Sequence, residues 1–504
     1  MVTVRGDNFA NTIYQDDYGY ELDIYAYGGN DRIYLNISGP NGGFNFVDAG
    51  SGNDQVFNIY EGGNDIDLNT GSDYYVGSGF STNSGLYDIV RGYDGNDVFE
   101  ISTFHSDYYG EADNDTFYSA GFNNLFDGGS GTDVVSYELQ DTDPDLGGHG
   151  VVIDLEREFA NTKGTDFEEI LRSIENAVGS GAADDIYGSS GVNSLWGSAG
   201  GDFVFGDAGN DALYGEDGND RLDGGSGADA LNGGTGNDVY VLGAENDTIA
   251  DAAGIDTVTS TVSRSILNLT STENLSLLGT ANINGYGNSL ANTIIGNSGN
   301  NVLEGRGGRD ILNGGNGNDA YVLAADNDTI IDSAGLDTVT SAVSRSILNL
   351  PNIENLTLVG TSNIDSYGNA ASNVIVGNSG NNILSGRAGN DVLIGAAGTD
   401  SFLFETAPNA STNFDTITDF SVADDTIRLN NSIFTAFAAD GAILSSMFVN
   451  DTTGLAHDSN DFLIYDRDTG NLFYDSNGSG AGGSVLIASL TANLPLTFQD
   501  FLIV

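Results

Sequence analysis

The side chains with the clearest chemical potential in this chain are carboxylates set at a fixed period. From Gly179 the sequence reads GSGAADDIY, GSSGVNSLW, GSAGGDFVF, GDAGNDALY, GEDGNDRLD, GGSGADALN and GGTGNDVYV, seven tandem nonapeptides. Their sixth positions hold Asp184, Asn193, Asp202, Asp211, Asp220, Asp229 and Asp238, and the next two fall on Asp247 and Asp256. Two nonapeptides can make one coil of strand, turn, strand and turn. Asp184, Asp202, Asp220 and Asp238 then line one edge, and Asn193, Asp211 and Asp229 the other. Carboxylates stacked in this way repel one another unless a cation lies between them. Glycine tolerates positive φ, so Gly-rich turns let backbone carbonyls converge on the same point. Carboxylates and carbonyls together make an oxygen-only donor set. That set suits Ca2+, a hard cation taking six to eight oxygens at about 2.3–2.6 Å, better than Mg2+, which demands a tighter octahedron. The expected cofactor is Ca2+, in multiple copies.

Two further blocks carry the same unit. GNSLANTII, GNSGNNVLE, GRGGRDILN and GGNGNDAYV begin at Gly287, and GNAASNVIV, GNSGNNILS, GRAGNDVLI and GAAGTDSFL begin at Gly368. Their sixth positions are Asn292, Asn301, Asp310 and Asp319, then Asn373, Asn382, Asp391 and Asp400. The first 136 residues repeat more loosely, with acidic turns at Asp31, Asp54, Asp65, Asp97, Asp115 and Asp133. Asp97, Asp115 and Asp133 are two nonapeptides apart, and the half-steps between them carry Ser106 and Asn124, with Tyr108 and Phe126 at the eighth position. This pattern predicts one regular acidic edge and one degraded edge. The expected metal ligands are Asp54, Asp97, Asp115, Asp133, Asp184, Asp202, Asp211, Asp220, Asp229, Asp238, Asp247, Asp256, Asp310, Asp319, Asp391 and Asp400. A carboxamide brings one carbonyl and no charge, and ligand charge tunes affinity. Weaker or empty sites are therefore expected at Asn193, Asn292, Asn301, Asn373 and Asn382.

The elements that must hold these turns follow from the rest of the unit. Six turn residues precede three extended ones, and the middle extended residue is apolar: Ile186, Leu195, Val204, Leu213, Leu222, Leu231, then Tyr240. One inward apolar side chain per short strand is the pattern of a solenoid. Between the blocks lie two near-copies, DTVTSTVSRSILNLTSTENLSLLGTANINGYGN (256–288) and DTVTSAVSRSILNLPNIENLTLVGTSNIDSYGN (337–369). Tyr240, Tyr321 and Phe402 mark a larger repeat of nine nonapeptides. The links start in phase and slip near Ser276, which reads as further solenoid turns rather than flexible linkers.

These units resemble the GGxGxDxUx repeat of the RTX family, the haemolysin-type calcium-binding proteins. The resemblance implies an all-β fold, a parallel β-roll (RTX) solenoid with Ca2+ held between successive turns, followed by a C-terminal β-rich secretion and capping region. Residues 135–180 resemble a connecting element common in such proteins. GTDSFLFETAPNASTNFDTITDFSVADDTIRLNNSIF, from Gly398, resembles the region after the roll in secreted members such as the serralysin group. FLIYDRDTGNLFYDSNGSGAGGSVLIASL (462–490) resembles a common ending, read as hairpin strands. The final QDFLIV resembles an uncleaved C-terminal signal for type I secretion. The implied partners are calcium ions and the type I secretion apparatus, and the implied location is secreted, extracellular or at a cell surface. Asp466, Asp468, Asp475 and Asn477 are either a further small Ca2+ site or turn formers. The resulting division is 1–136 degenerate acidic, Tyr-rich solenoid repeats, 137–178 a connecting β element, 179–259 the main roll and 260–286 linking turns. A second block at 287–340, linking turns at 341–367, a third block at 368–403 and a C-terminal cap and signal at 404–504 complete it.

Composition restricts the function classes. The 504 residues carry 73 acidic against 14 basic side chains and a net charge of −59. Nucleic acid needs clustered Lys and Arg and is not an expected partner. There is no cysteine, which excludes disulfides and thiolate metal sites. No apolar run reaches the roughly 18 residues of a spanning helix, and MVTVRGDNFANTIYQDD lacks the basic and apolar regions of a cleaved signal. His105, His149 and His457 are the only histidines, and neither HExxH nor GxSxG occurs. Glu138, Asp141, Asp143 and Asp145 cluster in one loop. Tyr14, Tyr18, Tyr20, Tyr25, Tyr27, Tyr34, Tyr60, Tyr74 and Tyr75 crowd the start, where they are expected to fill the core or cover its end rather than to stack on sugars. The leading reading is a secreted calcium-binding protein with a non-catalytic surface, matrix or adhesion role. The alternative is an extracellular polysaccharide-active enzyme with its site in residues 1–178, and either one would add a glycan or a cell surface as partner.

Overall fold

Short strands with one inward side chain can bury that side chain only by stacking on copies of themselves. The computed structural model, which describes residues 1–36, 43–60, 62–79, 86–480 and 482–504, shows that stacking. The chain forms two compact units, Met1–Thr259 and Ser260–Val504. Each is a parallel β-solenoid. No α-helix occurs among the described residues, so none is long and apolar enough to cross a membrane.

In the first unit each coil gives one strand to each of two faces. On one face Asp185–Tyr187, Phe203–Phe205, Arg221–Asp223 and Val239–Leu242 pair in parallel, stacking Ile186, Val204, Leu222 and Tyr240 in a column. On the other, Ser194–Trp196, Ala212–Gly218 and Ala230–Thr235 stack Leu195, Leu213 and Leu231. All seven side chains are buried, and the two columns meet to make the core. Close stacking explains the glycine at the fourth position of the unit. A Cβ on Gly227 would lie 1.4 Å from the carbonyl oxygen of Gly209 in the coil before, and one on Gly236 would lie 1.4 Å from that of Gly218.

The looser N-terminal repeats build the same two faces with coils of variable length. Successive register partners along one face are Val2, Leu22, Asp23 with Phe46, then Asp65, Ile89, Asp107 and Leu125. The connecting element interrupts only this face. Val151–Asp154, Phe159–Thr162 and Glu168–Arg172 form an antiparallel meander, which pairs in parallel with the coil before through Glu168–Arg172 and with the coil after through Val151–Asp154. On the opposite face Val134–Ser136 pairs directly with Asn176–Val178.

The early tyrosines depart from expectation. Tyr75 is a core side chain, but Tyr14, Tyr18, Tyr20, Tyr27 and Tyr60 are exposed. Tyr14, Tyr34 and Phe57 stack face to face along the outside of the sheet, with centroids 4.8 and 4.9 Å apart. Their strands are neighbours in a ladder whose spacing is about 4.7–4.9 Å, so equivalent outward rings meet face on. Outward and inward residues alternate along a strand, and these tyrosines fall on the outward parity.

In the second unit the linking segments are coils. Arg264–Ser265 pairs with Gly285–Tyr286, Asn274–Leu277 with Thr293–Ile295, and Thr338–Ser341 with Asn355–Leu358, all in parallel. These coils depart from the two-nonapeptide length, which is why the phase slips. The solenoid ends in an antiparallel sheet of Leu463–Asp466, Asn471–Asp475 and Ser484–Ser489. Phe501–Ile503 pairs in parallel with Thr426–Leu429 and buries Phe501 and Ile503 with Phe404, Phe434 and Leu472.

Candidate metal sites

The sixth-position side chains stack in columns along the edges of each unit, and one hydrogen bond repeats at each step. The backbone N–H of the sixth residue donates to Oδ1 of the sixth residue one coil later. Asp184, Asp202, Asp220 and Asp238 donate in this way to Asp202, Asp220, Asp238 and Asp256 at 2.8–2.9 Å. Asn193, Asp211 and Asp229 donate to Asp211, Asp229 and Asp247 at 2.8, 2.8 and 3.2 Å. The same bond links Asn292 to Asp310, Asn301 to Asp319, Asn373 to Asp391 and Asn382 to Asp400. In the N-terminal repeats it runs Asp31, Asp54, Asp73, Asp97, Asp115, Asp133 and ends on Glu175. The opposite edge there carries Asn45, Asn64, Asp88, Ser106 and Asn124, joined by the same kind of bond. Asp65 is exposed instead and pairs with Arg91 at 2.7 Å, because the turn position of its unit is taken by Asn64.

The second carboxylate oxygen is treated differently. Oδ2 of Asp54, Asp97, Asp115, Asp133, Asp202, Asp211, Asp220, Asp229, Asp238, Asp310, Asp319 and Asp391 is buried and accepts no hydrogen bond. Except at Asp54, whose unit opens on Ala49, it faces the first glycine of its own unit. A Cβ on Gly215, Gly224 or Gly233 would lie 2.1–2.3 Å from Oδ2 of Asp220, Asp229 or Asp238. A buried anionic oxygen without a partner is strongly disfavoured unless a cation or proton meets it. Burial is the main reason several of these carboxyls are held above the ordinary range: Asp97 is pushed up to about 8, Asp115 and Asp202 to about 7, and Asp54, Asp211, Asp220 and Asp310 to about 6. Neighbouring carboxylates add to this at Asp202, Asp97 and Asp115. Oxygen donors, paired carboxylates and glycine space beside them fit Ca2+.

Not every expected ligand shares this geometry. Asp184, next to the connecting element, has both oxygens engaged by Val151 N–H at 2.6 Å and by Ser180 N–H and O–H at 2.6 and 2.9 Å. Asp247 is half-buried, whereas the other members of its column are buried. At the Asn turns the carboxamide supplies its own positive end. Asn301 Nδ2 donates to Ile283 O at 2.6 Å and to Asn297 Oδ1 at 3.0 Å, while its Oδ1 accepts from Asn297 N. Asn382 repeats this with Ile364 and Asn378 at the same distances. Asn193 donates to Glu175 O, and Asn292 and Asn373 donate to Asn288 and Asn369.

Asp466 and Asp475 lie at opposite ends of one hairpin, where they cap local turns through Thr469 and Asn477, so Asp466, Asp468, Asp475 and Asn477 do not converge. Asp73, Asp328, Asp337, Asp415 and Asp425 join the columns without having been singled out from the sequence. Asp328 and Asp337 follow Asp310 and Asp319 by one regular coil and were open to the same arithmetic. Asp73, Asp415 and Asp425 follow coils of 19, 24 and 25 residues, which the nonapeptide period does not reach.

The family model for the RTX calcium-binding nonapeptide repeat (4 copies) matches residues 109–141, 178–213, 214–249, 286–321 and 367–402. The chain carries RTX calcium-binding nonapeptide repeats. No curated protein matches the chain in comparison. The matched segments fall within the three RTX blocks and the most regular stretch of the N-terminal repeats, and RTX repeats are calcium-binding. The columns extend beyond those segments, through Asp31, Asp54, Asp73 and Asp97 before the first and through Asp415 and Asp425 after the last.

Proposed function

We propose that this is a secreted RTX protein whose solenoid is completed by Ca2+ outside the cell, and that it serves a non-catalytic surface, matrix or adhesion role. The observation that carries this reading is the repeated buried Oδ2, most clearly at Asp202, Asp211, Asp220 and Asp229. Oδ1 of each aspartate holds the coils in register, and Oδ2 together with turn carbonyls holds the ion. In a low-Ca2+ cytosol the chain, at −59, repels itself and stays extended, which suits export. In millimolar Ca2+ the turns are neutralised and ion binding becomes folding free energy. On the order of 10–15 divalent ions would cancel about a third to a half of the charge. Far-UV circular dichroism and small-angle scattering of the full chain, in chelator and in millimolar Ca2+, test the coupling. Gain of β-structure and a fall in radius of gyration on adding Ca2+ are expected, and identical profiles would reject it.

One groove favours the second reading. It holds about 660 Å³ and is lined by Tyr118, Glu138, Asp141, Trp196, Glu216 and Asp217 among others. A partly exposed indole beside carboxylates can stack on a sugar ring while accepting bonds from its hydroxyls. The groove draws on residues either side of 178, so a fragment ending there would lack half of it. Trp196, the only tryptophan, gives the assay: quenching of its fluorescence by a polysaccharide panel, with turnover measured alongside. Glycan turnover abolished by Glu138→Gln would establish the enzyme.

A further inference from the structure

At two places a third carboxylate joins the column. Asp238, Asp251 and Asp256 each bring one oxygen within 4.8 Å of the others, and so do Asp319, Asp332 and Asp337. The two sets are related by the larger repeat, and Asp251, Asp256, Asp332 and Asp337 lie outside every segment matched to the RTX repeat. The added residue is Asp251 or Asp332. In phase with the nonapeptides, each stands at the first position, where the tandem units that open each block place the glycine that faces Oδ2. DAAGID (251–256) and DSAGLD (332–337) thus replace a glycine with an acid.

The rest of the site is built around this substitution. Tyr240, at the inward eighth position, accepts from Gly233 N at 3.0 Å and donates to Asp251 Oδ1 at 2.7 Å. Tyr321 accepts from Gly314 N at 3.1 Å and donates to Asp332 Oδ1 at 2.6 Å. The hydroxyl thus fixes one oxygen of the added carboxylate. Its other oxygen, Oδ2, is buried and accepts no hydrogen bond, as is Oδ2 of Asp238, Asp319 and Asp337. Asp238 and Asp319 are each 1% exposed, so these oxygens have no recourse to solvent. A Cβ on Gly233 would lie 2.1 Å from Asp238 Oδ2 and 2.3 Å from the Tyr240 hydroxyl, and Gly314 shows the same crowding with Asp319 and Tyr321.

The third block supplies an internal contrast. Phe402 stands where the tyrosines stand. The N–H of Gly395, the counterpart of Gly233 and Gly314, donates to Asp419 Oδ1 at 2.9 Å, and that of Ala396 to Asp419 Oδ2 at 2.8 Å. The acid that closes this turn has both oxygens engaged by backbone.

We infer that Asp238, Asp251 and Asp256, and again Asp319, Asp332 and Asp337, form two tricarboxylate cation sites that bind Ca2+, or a trivalent lanthanide of similar size, more tightly than the two-carboxylate steps of the columns. Ligand oxygens on one Ca2+ can be as far apart as about 5 Å, twice the usual Ca–O distance, so oxygens all within 4.8 Å can share an ion. A third negative ligand raises affinity by the same charge rule that weakens the Asn turns. This inference rests on the reading of the columns as Ca2+ sites, and it predicts two tight ions per chain, not three.

The test is Ca2+ equilibrium dialysis and Tb3+ luminescence on the full chain, excited through tyrosine. The wild type should bind two equivalents first, with Tb3+ emission saturating at two. Asp251→Asn with Asp332→Asn should lose both tight equivalents, weakening them at least about tenfold, while the remaining uptake and the far-UV spectrum in millimolar Ca2+ persist. Tyr240→Phe with Tyr321→Phe, which keeps every carboxylate, should weaken the same two ions. Asp97→Asn, in a column but bonded to neither cluster, should leave them intact. Two tight ions retained in the Asp251/Asp332 double variant, or a single class of sites in the wild type, overturns this inference and leaves the columns standing. No Ca2+ uptake at all by the wild type rejects the column reading and this one together.

Discussion

The same side chain in this protein does two jobs with its two oxygens. Oδ1 of Asp220 or Asp229 accepts a backbone N–H from the coil before, so the residue is needed for register whether or not an ion is present. Oδ2 has no such partner. Asparagine divides the work differently: at Asn301 Oδ1 accepts from Asn297 N in its own turn, and Nδ2 reaches the coil before by donating to Ile283 O. Asn301→Asp should therefore turn a self-satisfied turn into an ion-dependent one. In chelator its stability should fall by about 1–3 kcal/mol, the usual penalty for an unsatisfied buried group, and millimolar Ca2+ should restore it, as read by melting in both buffers. The raised carboxyls set the sign of the pH dependence. In chelator the folded chain holds protons on Asp97, Asp115, Asp202 and Asp220 at pH values where the unfolded chain has lost them. Stability is then greatest near pH 4 and is lost as pH rises through about 6 to 8. With Ca2+ the slope reverses over that window, since ligands must be deprotonated to bind. Melting midpoints at pH 5, 6.5 and 8 in the two buffers should slope in opposite directions, and parallel slopes would contradict the assignment.

At the scale of the element, a strand of three residues succeeds because it is one rung in a column. Leu222 sits between Val204 and Tyr240 with no exposed surface, so Leu222→Ala should cost about 2–5 kcal/mol, the range for a large-to-small change in a core. The turns are equally constrained. Gly227 has φ 152° and a carbonyl 1.4 Å from where a Cβ would be, so Gly227→Ala must push neighbouring coils apart as well as strain the backbone. Urea unfolding in millimolar Ca2+ should show a loss larger than the roughly 1 kcal/mol of an ordinary glycine replacement, and a smaller loss would mean that the coils can separate freely. The connecting element shows how the solenoid tolerates an insertion. It replaces one rung on one face and leaves the other face continuous.

At the scale of the molecule, charge and closure dominate. A net charge of −59 is tolerable in a compact state only where counter-ions sit among the carboxylates, so stability should rise with Ca2+ activity across many sites. Each site filled at about a hundred times its Kd contributes about 2.7 kcal/mol. The far end of the second unit is closed by apolar packing instead. Phe501, buried with Phe404, Phe434 and Leu472, belongs to the last strand. Phe501→Ala should cost about 3–5 kcal/mol, in keeping with loss of a buried aromatic. That loss should appear in chelator and in Ca2+ alike, which separates capping from ion binding in a denaturation series.

The sequence by itself determined the solenoid, its inward apolar column and the acidic columns of the regular blocks. Each depends on a period, and a period is visible wherever coil length is constant. It also marked Asn193, Asn292, Asn301, Asn373 and Asn382 as different. Tertiary structure decided what the period cannot carry. Coil lengths of 19, 24 and 25 residues bring Asp73, Asp415 and Asp425 into the columns. Parity along the strand turned Tyr14 and Tyr34 outward. Local turns separated Asp466 from Asp475. Asp251 and Asp332 were legible only as misplaced acids at a glycine position, until the coils brought them against Asp238 and Asp319. Stacking sets which oxygens meet, and a linear repeat specifies stacking only as long as every coil is the same length.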